Sequence, residues 1–225
     1  RIMARSETLA LNGENRAATH IWRKSKDEEV SRHYDCATGQ LLHWKESRGG
    51  AETMARLMGS RQMDLPWSDA PLPACLHQTQ ALIYSGYSAL QAPGAAPAPL
   101  ARRQELRVIR RGDGWLFLES RMHRQESPAV ADSLVVNGPG SSPPLGIAPD
   151  ILRRLQAGQV VDRDPYTGFM LLVAGRDAKA ATFAEEGPAQ SFRYVFDLNS
   201  GMLACVASED RSTGYGAIAS EMRLV

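Results

Sequence analysis

The feature that most constrains this chain is a short acidic corner, written Asp-x-x-Ser/Thr-Gly, which occurs three times. The corners are Asp35–Gly39, Asp164–Gly168 and Asp197–Gly201. In such a corner the aspartate and the hydroxyl group hydrogen-bond backbone amides, and the glycine takes the positive φ of a type I turn followed by a bulge. Alternating apolar runs flank the third corner, Phe192–Phe196 before it and Met202–Val206 after it. The pattern therefore predicts antiparallel hairpins.

These hairpins favour a mainly β (α+β) fold, a curved antiparallel sheet or open half-barrel with one to three short helices. Strands are predicted over 17–25, 29–34 and 40–46, with residues 1–16 as an arm or peripheral strand. Two short helices are predicted. One covers 51–58 and is closed by Gly59; the other covers 148–155, with proline at an early position and Gly158 beyond its end.

An Ala/Pro-rich segment at 92–99 bears on domain organisation. With 225 residues, the chain can form a single β-rich domain over 1–225 and bury a substantial core. The segment is stiff and solvated in composition. It therefore leaves open a second arrangement, with two lobes, 1–91 and 100–225, joined by 92–99.

Charge and hydropathy exclude some classes of function. The net charge is +1, so no global field attracts nucleic acid, and none is expected as a partner. No apolar run approaches the roughly 20 residues of a membrane-spanning helix, so the chain is not expected to span a membrane. It opens Arg1-Ile2-Met3, which fits a processed product or a fragment.

Cysteine and histidine residues form the constellation with most potential for chemistry. His33-x-x-Cys36, His43 and Cys75-x-His77 offer thiolate and imidazole ligands of the kind zinc prefers. However, His33 and Cys36 straddle a hairpin corner, and no Cys-x-x-Cys knuckle is present. Cys75 and His77 are one residue apart and would point to opposite sides of an extended chain. We therefore predict no metal, cofactor or catalytic residue. A disulfide between Cys36 and Cys75 and a fully reduced state both remain open.

Aromatic residues mark the candidate ligand site. Large rings recur on the predicted strands, and in a partly closed sheet they would line a hollow for an apolar ligand. The alternative is that the rings simply fill the core. The predicted ligand-binding residues are Trp22, Trp44, Tyr84, Trp115, Tyr194 and Phe196.

Arginines around one predicted hairpin mark a candidate contact surface. Five of them, at 102, 103, 107, 110 and 111, lie near Trp115 and Phe117, but Glu105 and Asp113 dilute their charge. A solvated hairpin face explains the cluster; contact with an acidic protein or a lipid headgroup is the functional alternative. For that alternative the predicted partner-binding residues are Arg107, Arg110 and Arg111.

The C-terminal residues, Phe192 to Val225, carry a family resemblance. They contain an aromatic strand, the Asp197–Gly201 corner, an apolar strand, a polar turn at 209–214 and a closing strand. This order resembles the C-terminal meander of the outer-membrane lipoprotein carrier superfamily, the LolA/LolB/RseB-like half-barrels, and 34–44 looks similar. The long N-terminal amphipathic helix of those carriers is not evident here. The resemblance implies a periplasmic or otherwise exported bacterial envelope protein that holds an acyl chain or a lipid-modified partner.

The sequence thus predicts a non-catalytic envelope protein that binds a lipophilic ligand or a lipid-modified protein on a concave antiparallel sheet. The first alternative is an accessory subunit of a larger envelope assembly. The second is a metal- or thiol-dependent enzyme that uses Cys36, Cys75 and His77.

Overall fold

The computed structural model describes residues 2–57, 61, 63–91, 98–112, 114–124, 127–141, 143–212 and 216–225. Over these residues the protein is mainly β, with two antiparallel sheets and two short helices. The predicted fold class is confirmed. No helix of the described residues is long and apolar enough to cross a membrane. The chain divides into two compact units, Arg1–Gln62 and Met63–Val225.

The first unit is a five-stranded meander in which each strand pairs with the next. Its strands are β1 (Ile2–Leu11), β2 (Glu14–Lys24), β3 (Glu28–Asp35), β4 (Leu41–Arg48) and β5 (Ala51–Arg56). Asn12 and Gly13 both have positive φ, 51° and 83°, as a two-residue hairpin turn between β1 and β2 requires. The core of this unit is small and is built on Leu11, Ala18 and Leu42.

The second unit contains a ten-stranded antiparallel sheet whose spatial order is β10-β11-β12-β13-β14-β15-β6-β7-β8-β9. Chain order is kept within each half, and the last strand pairs with β6 to join the halves. The elements are α1 (Ala74–Gln78), β6 (Ala81–Gln91), β7 (Ala98–Gly112), β8 (Trp115–Arg124), β9 (Ser127–Asn137), α2 (Pro149–Arg154), β10 (Val160–Arg163), β11 (Met170–Arg176), β12 (Ala180–Glu186), β13 (Gln190–Asp197), β14 (Leu203–Asp210) and β15 (Ala217–Leu224).

The three acidic corners have the structure that the sequence predicts. At the last corner, Asp197 Oδ1 accepts hydrogen bonds from the backbone amide and the hydroxyl of Ser200, at 2.7 and 2.8 Å. The backbone amide of Gly201 donates to the Asp197 carbonyl, and Gly201 has φ 74°. Gly39 and Gly168 have φ 71° and 76°. Each corner joins two strands that are neighbours in a sheet.

The main core lies on one face of the ten-stranded sheet. Phe183 packs edge-on against Phe196 and Trp67, with ring centroids 5.4 and 5.6 Å apart. The segments 63–80 and 143–155 supply the other side of this core, through Leu76 and Leu152 among others, both fully buried. Trp67 is held in place because its indole N–H donates to the Pro139 carbonyl at 2.9 Å.

Two of the local predictions about helices differ from the structure. The predicted helix over 51–58 is wrong, because residues 51–56 form strand β5. Gly49 and Gly50, with φ 55° and 85°, make a two-residue hairpin turn that returns the chain along β4. Helix α1 was not predicted, since prolines surround it. The helix predicted at 148–155 is present as α2, with proline at its first position.

The Ala/Pro segment does not lie at the division between the units. Residues 92–97 are outside the described residues, but β6 and β7 on either side of them pair along their length, from Ala81 opposite Arg107 to Leu90 opposite Ala98. Strands β6 and β7, which precede and follow these residues, therefore belong to one sheet. The two compact units meet in the sequence between residues 62 and 63.

Candidate functional site

One face of the ten-stranded sheet, called here the covered face, packs against the segments 63–80 and 143–155. A hollow of about 290 Å³ lies on this face, beside the main core. It is lined by strands β6, β7, β8, β9, β14 and β15 and by the loop 143–145. The pairing register places its strand residues on one face: Tyr84 lies opposite Gln104, Val206 opposite Met222, and Leu118 opposite Val135. The lining residues are Tyr84, Gln104, Leu106, Leu118, Ser120, Val135, Asn137, Pro143, Leu145, Leu203, Val206 and Met222.

Most of the polar side chains around the hollow already form hydrogen bonds within the protein. The Tyr84 hydroxyl donates to the Leu203 carbonyl at 2.9 Å, and burial raises the pKa of this phenol. Asn137 donates to the Pro143 carbonyl and accepts from the Leu145 amide, which fixes the loop as one wall. Gln104 donates to Ser120 Oγ at 3.0 Å. The lining residues that the structure describes are all uncharged, so the hollow favours apolar ligands.

Within each unit, the predicted ligand-binding aromatics lie on both faces of the sheet. Tyr84 lines the hollow. Tyr194 and Phe196 lie on the same covered face, in the core, and Tyr194 pairs with the lining residue Val206. Trp115 is 36% exposed and directly precedes the buried Leu116, so it lies on the opposite face.

The remaining two aromatics, Trp22 and Trp44, belong to the first unit. Trp22 shares a face with His20, two residues earlier on β2. Trp44 pairs with Arg32, the neighbour of His33, whereas His33 pairs with His20. The two tryptophans therefore lie on opposite faces of the five-stranded sheet and cannot line the same surface.

The three predicted partner-binding arginines do not all lie on one face of the sheet, and a β-bulge in β7 determines which of them share a face. Val108 pairs with Leu118 and Arg110 with Phe117, so the register shifts between them. Arg107 and Arg110 lie on the outer face, and Arg107 is 3.6 Å from Glu105. Arg111 lies on the covered face, where it donates to the carbonyls of Leu76 and Thr79 at the end of α1. The partner role of the outer pair stays a prediction.

The cysteines, all within the described residues, are free thiols. Cys36 is exposed in its corner, while Cys75 and Cys205 are half-buried. The Cys75 thiol donates to the Ser200 carbonyl at 3.3 Å, and burial raises its pKa. Both effects disfavour the thiolate that nucleophilic catalysis needs. His77 is exposed on α1.

A row of imidazoles crosses the first unit. His20 on β2 pairs with His33 on β3, which pairs with His43 on β4. The ring centroids are 4.2 Å apart in the first pair, which is stacked, and 5.4 Å apart in the second, which is edge-on. On β1, Glu7 Oε1 lies 2.7 Å from His33 Nε2, and Glu7 Oε2 lies 3.5 Å from His20 Nδ1. Four neighbouring strands thus direct one carboxylate and three imidazoles to the same face.

Burial and charge shift the titration of this cluster. Burial lowers the pKa of His20, and positive charge on His33 lowers it further, although Glu7 opposes both effects. Burial raises the pKa of Glu7, but hydrogen bonds from His33 and Arg5 outweigh that effect and hold it below its ordinary value. Arg5 is bound to Glu7 at 2.8 Å and lies over the Trp22 ring.

The spacing of the histidines in the sequence carries a signal for this row. A turn was expected near Lys26-Asp27, and a hairpin centred there places His20 opposite His33. The Asp35–Gly39 corner then brings His43 opposite His33. Combining the two hairpin registers would have aligned the three histidines. The position of Glu7 could not be predicted from the sequence, because residues 1–16 show no clear alternation of apolar and polar residues.

Comparison with protein-family models, curated proteins and solved structures gave no match, so no catalytic family is indicated. The resemblance to the lipoprotein carrier superfamily stays a prediction. Residues 213–215, in or next to the final turn of that resemblance, lie outside the described part of the chain.

Proposed function

We propose that this protein is a non-catalytic binding protein that holds a lipophilic ligand, such as an acyl chain, in the hollow of the ten-stranded sheet. The observation that carries the proposal is the hollow itself, about 290 Å³ of space lined by uncharged side chains. Its volume is close to the lower end of the roughly 300–1,000 Å³ typical of small-molecule sites. Each methylene group that leaves water for such a site contributes about 0.8 kcal/mol.

The distribution of polar groups supports an apolar ligand with one polar end. Tyr84 and Asn137 have their polar atoms committed to backbone partners, so they offer little to a ligand. Gln104 and Ser120 bond to each other and retain acceptor capacity. They are the groups that would meet a hydroxyl or a protonated carboxyl group. A bacterial envelope location also stays a proposal, supported by the C-terminal resemblance.

A fluorescent fatty acid, dansyl-labelled undecanoic acid, tests this function. We expect saturable binding, with blue-shifted emission as the probe enters an apolar site. Val206→Trp fills the hollow and should weaken binding at least about tenfold, a loss of roughly 1.4 kcal/mol. Ala207→Trp is the matched control, because the next residue of β14 faces the other side of the sheet.

Two results would contradict the proposal. One is the absence of saturable probe binding by the folded protein. The other is equal affinity for the probe in the Val206→Trp and Ala207→Trp variants, which would place binding elsewhere. Mass spectrometry of a lipid extract from the purified protein provides an independent check for a co-purifying ligand.

A further inference from the structure

We propose that Glu7, His20 and His33 form a binding site for a divalent transition-metal ion, with zinc as the ion of choice. The three side chains offer ligand atoms that all lie within 4.8 Å of one another. Two imidazoles and a carboxylate are a set that zinc binds, with water completing the coordination. This site shares no residue with the hollow and uses none of the cysteine ligands considered from the sequence.

The fold positions the three ligands on regular strands rather than on loops. Glu7, His20 and His33 come from β1, β2 and β3, which are consecutive neighbours in the sheet. Their registers, Glu7 opposite Ala18 and His20 opposite His33, direct all three side chains to one face. The strand backbones fix where the three side chains begin, and the stacked rings of His20 and His33 would have to turn to bring one nitrogen of each to the same ion.

A buried nitrogen atom is the second observation. The Nδ1 atom of His20, which would be the ligand, is buried and makes no hydrogen bond among the described residues, although Glu7 Oε2 lies 3.5 Å from it. His33 itself is only 8% exposed. Leaving a buried polar atom unpaired costs about 1–3 kcal/mol, and such atoms in native proteins call for an explanation, of which a bound ion is one. Coordination at His20 Nδ1 would relieve this cost.

The surroundings of His20 also match a metal ligand. Its other nitrogen, Nε2, lies 2.8 Å from Ser31 Oγ. Metal-binding histidines almost always engage their second nitrogen in a hydrogen bond, which orients the ring. At His33, the ligating atom would be Nε2, which lies 2.7 Å from Glu7 Oε1 in the metal-free arrangement. The metal would replace that hydrogen bond with two coordination bonds.

Arg5 would compete with a metal ion for the carboxylate of Glu7. Its guanidinium binds Glu7 at 2.8 Å, and a metal ion must displace or tolerate that positive charge. Because an exposed ion pair is worth about 0.2–1 kcal/mol, its removal should strengthen metal binding roughly 1.4- to fivefold. If the cluster has a purely structural role, the removal of Arg5 should give no such gain in metal affinity.

Isothermal titration of the full chain with zinc chloride tests the proposal. We expect one zinc ion per chain. Loss of an outer-shell partner typically costs 10–100-fold in affinity, so His20→Ala, His33→Ala and Glu7→Gln should each cost about 100-fold or more. Arg5→Gln should bind more tightly than the unaltered protein. His77→Ala, an exposed histidine of the second unit, is the control and should bind as the unaltered protein does.

Circular dichroism establishes that each variant is folded before titration. Glu7→Gln preserves the size of the side chain, so it decides the question if a histidine variant does not fold. Absence of saturable zinc binding by the unaltered protein overturns the proposal. So does binding that persists in Glu7→Gln, or that falls equally in His77→Ala.

Discussion

The imidazole rings of His20 and His33 lie parallel across the β2–β3 pair, with centroids 4.2 Å apart and planes inclined by 10°. A metal ion lies in the plane of each imidazole that binds it, so two parallel rings cannot share one ion without turning. Zinc binding must therefore open the stack. On its other side, His20 stacks on Trp22 at 4.6 Å, which makes this tryptophan a reporter of the change.

We accordingly predict that zinc changes tryptophan emission through Trp22. The change should disappear in Trp22→Phe, because that ring is the one in contact with His20. It should persist in Trp44→Phe, since Trp44 lies on the opposite face of the same sheet. Steady-state fluorescence during zinc titration measures this, and loss of the signal in Trp44→Phe alone would contradict the assignment.

Gly201 should be far less tolerant of substitution than Gly168, although both close the same kind of corner with nearly the same φ. Replacing either glycine by alanine should lower the free energy of unfolding by about 1–2 kcal/mol, because an L residue is strained in the left-handed backbone conformation. At Gly201 the added carbon would also lie 2.3 Å from the Ile147 carbonyl oxygen, whereas at Gly168 nothing lies within 4 Å. Urea unfolding should show Gly201→Ala to be the more destabilised variant by a further 1–3 kcal/mol or so. Equal losses would contradict the tight packing of loop 145–149 on this corner.

The Asp197 corner should lose stability in acid. Hydrogen bonds from the backbone and side chain of Ser200 hold the pKa of Asp197 below its ordinary value. Its stabilising effect is therefore complete above the pKa of the unfolded chain and is lost as pH falls through the lower, folded value. Compared with Asp197→Asn, the native protein should be more stable near neutral pH by about 1 kcal/mol after solvent screening.

That difference between Asp197→Asn and the native protein should vanish at the acid end. Chemical unfolding from pH 7 to pH 2 measures it, with Asp69→Asn, an exposed loop substitution, as the control. A stability difference that does not change with pH would show that the charge of Asp197 has no part in the corner.

Substitution of Phe183 should be among the most destabilising changes in the core. It is 1% exposed and contacts two rings edge-on, Trp67 and Phe196. Phe183→Ala should destabilise the protein by about 3–5 kcal/mol through lost burial and the cavity that remains. Tyr166→Ala removes a ring that is 62% exposed and should change stability by no more than about 0.5 kcal/mol. Thermal and urea unfolding of both variants would test the contrast.

The two units should differ in their ability to fold alone. The main core contains only residues of 63–225, so a fragment of that range should unfold cooperatively by itself. Among its described residues, the first unit has a buried apolar core of Leu11, Ala18 and Leu42, too small for a 62-residue unit to be stable alone. Circular dichroism and denaturant unfolding of the two fragments would show this; a stable 1–62 fragment would contradict it.

The sequence by itself determined the hairpins. Asp197, Ser200 and Gly201 act within five residues of one another, so their chemistry specifies a turn wherever the corner lies in the chain. The same holds for Asp35–Gly39 and for the proline that begins α2. The helix predicted over 51–58 is wrong, because Gly49 and Gly50 do not end the meander but form the hairpin turn that leads into β5.

Only the tertiary structure decided how the hairpins combine. The pairing of β15 with β6, which brings Leu224 opposite Tyr84, joins segments more than a hundred residues apart, and no local turn encodes it. That pairing completes the covered face on which Tyr84, Val206 and Met222 surround the hollow. The position of Glu7 beside His20 and His33 likewise depends on strand register. A site built from side chains on separate strands exists only once the sheet has formed.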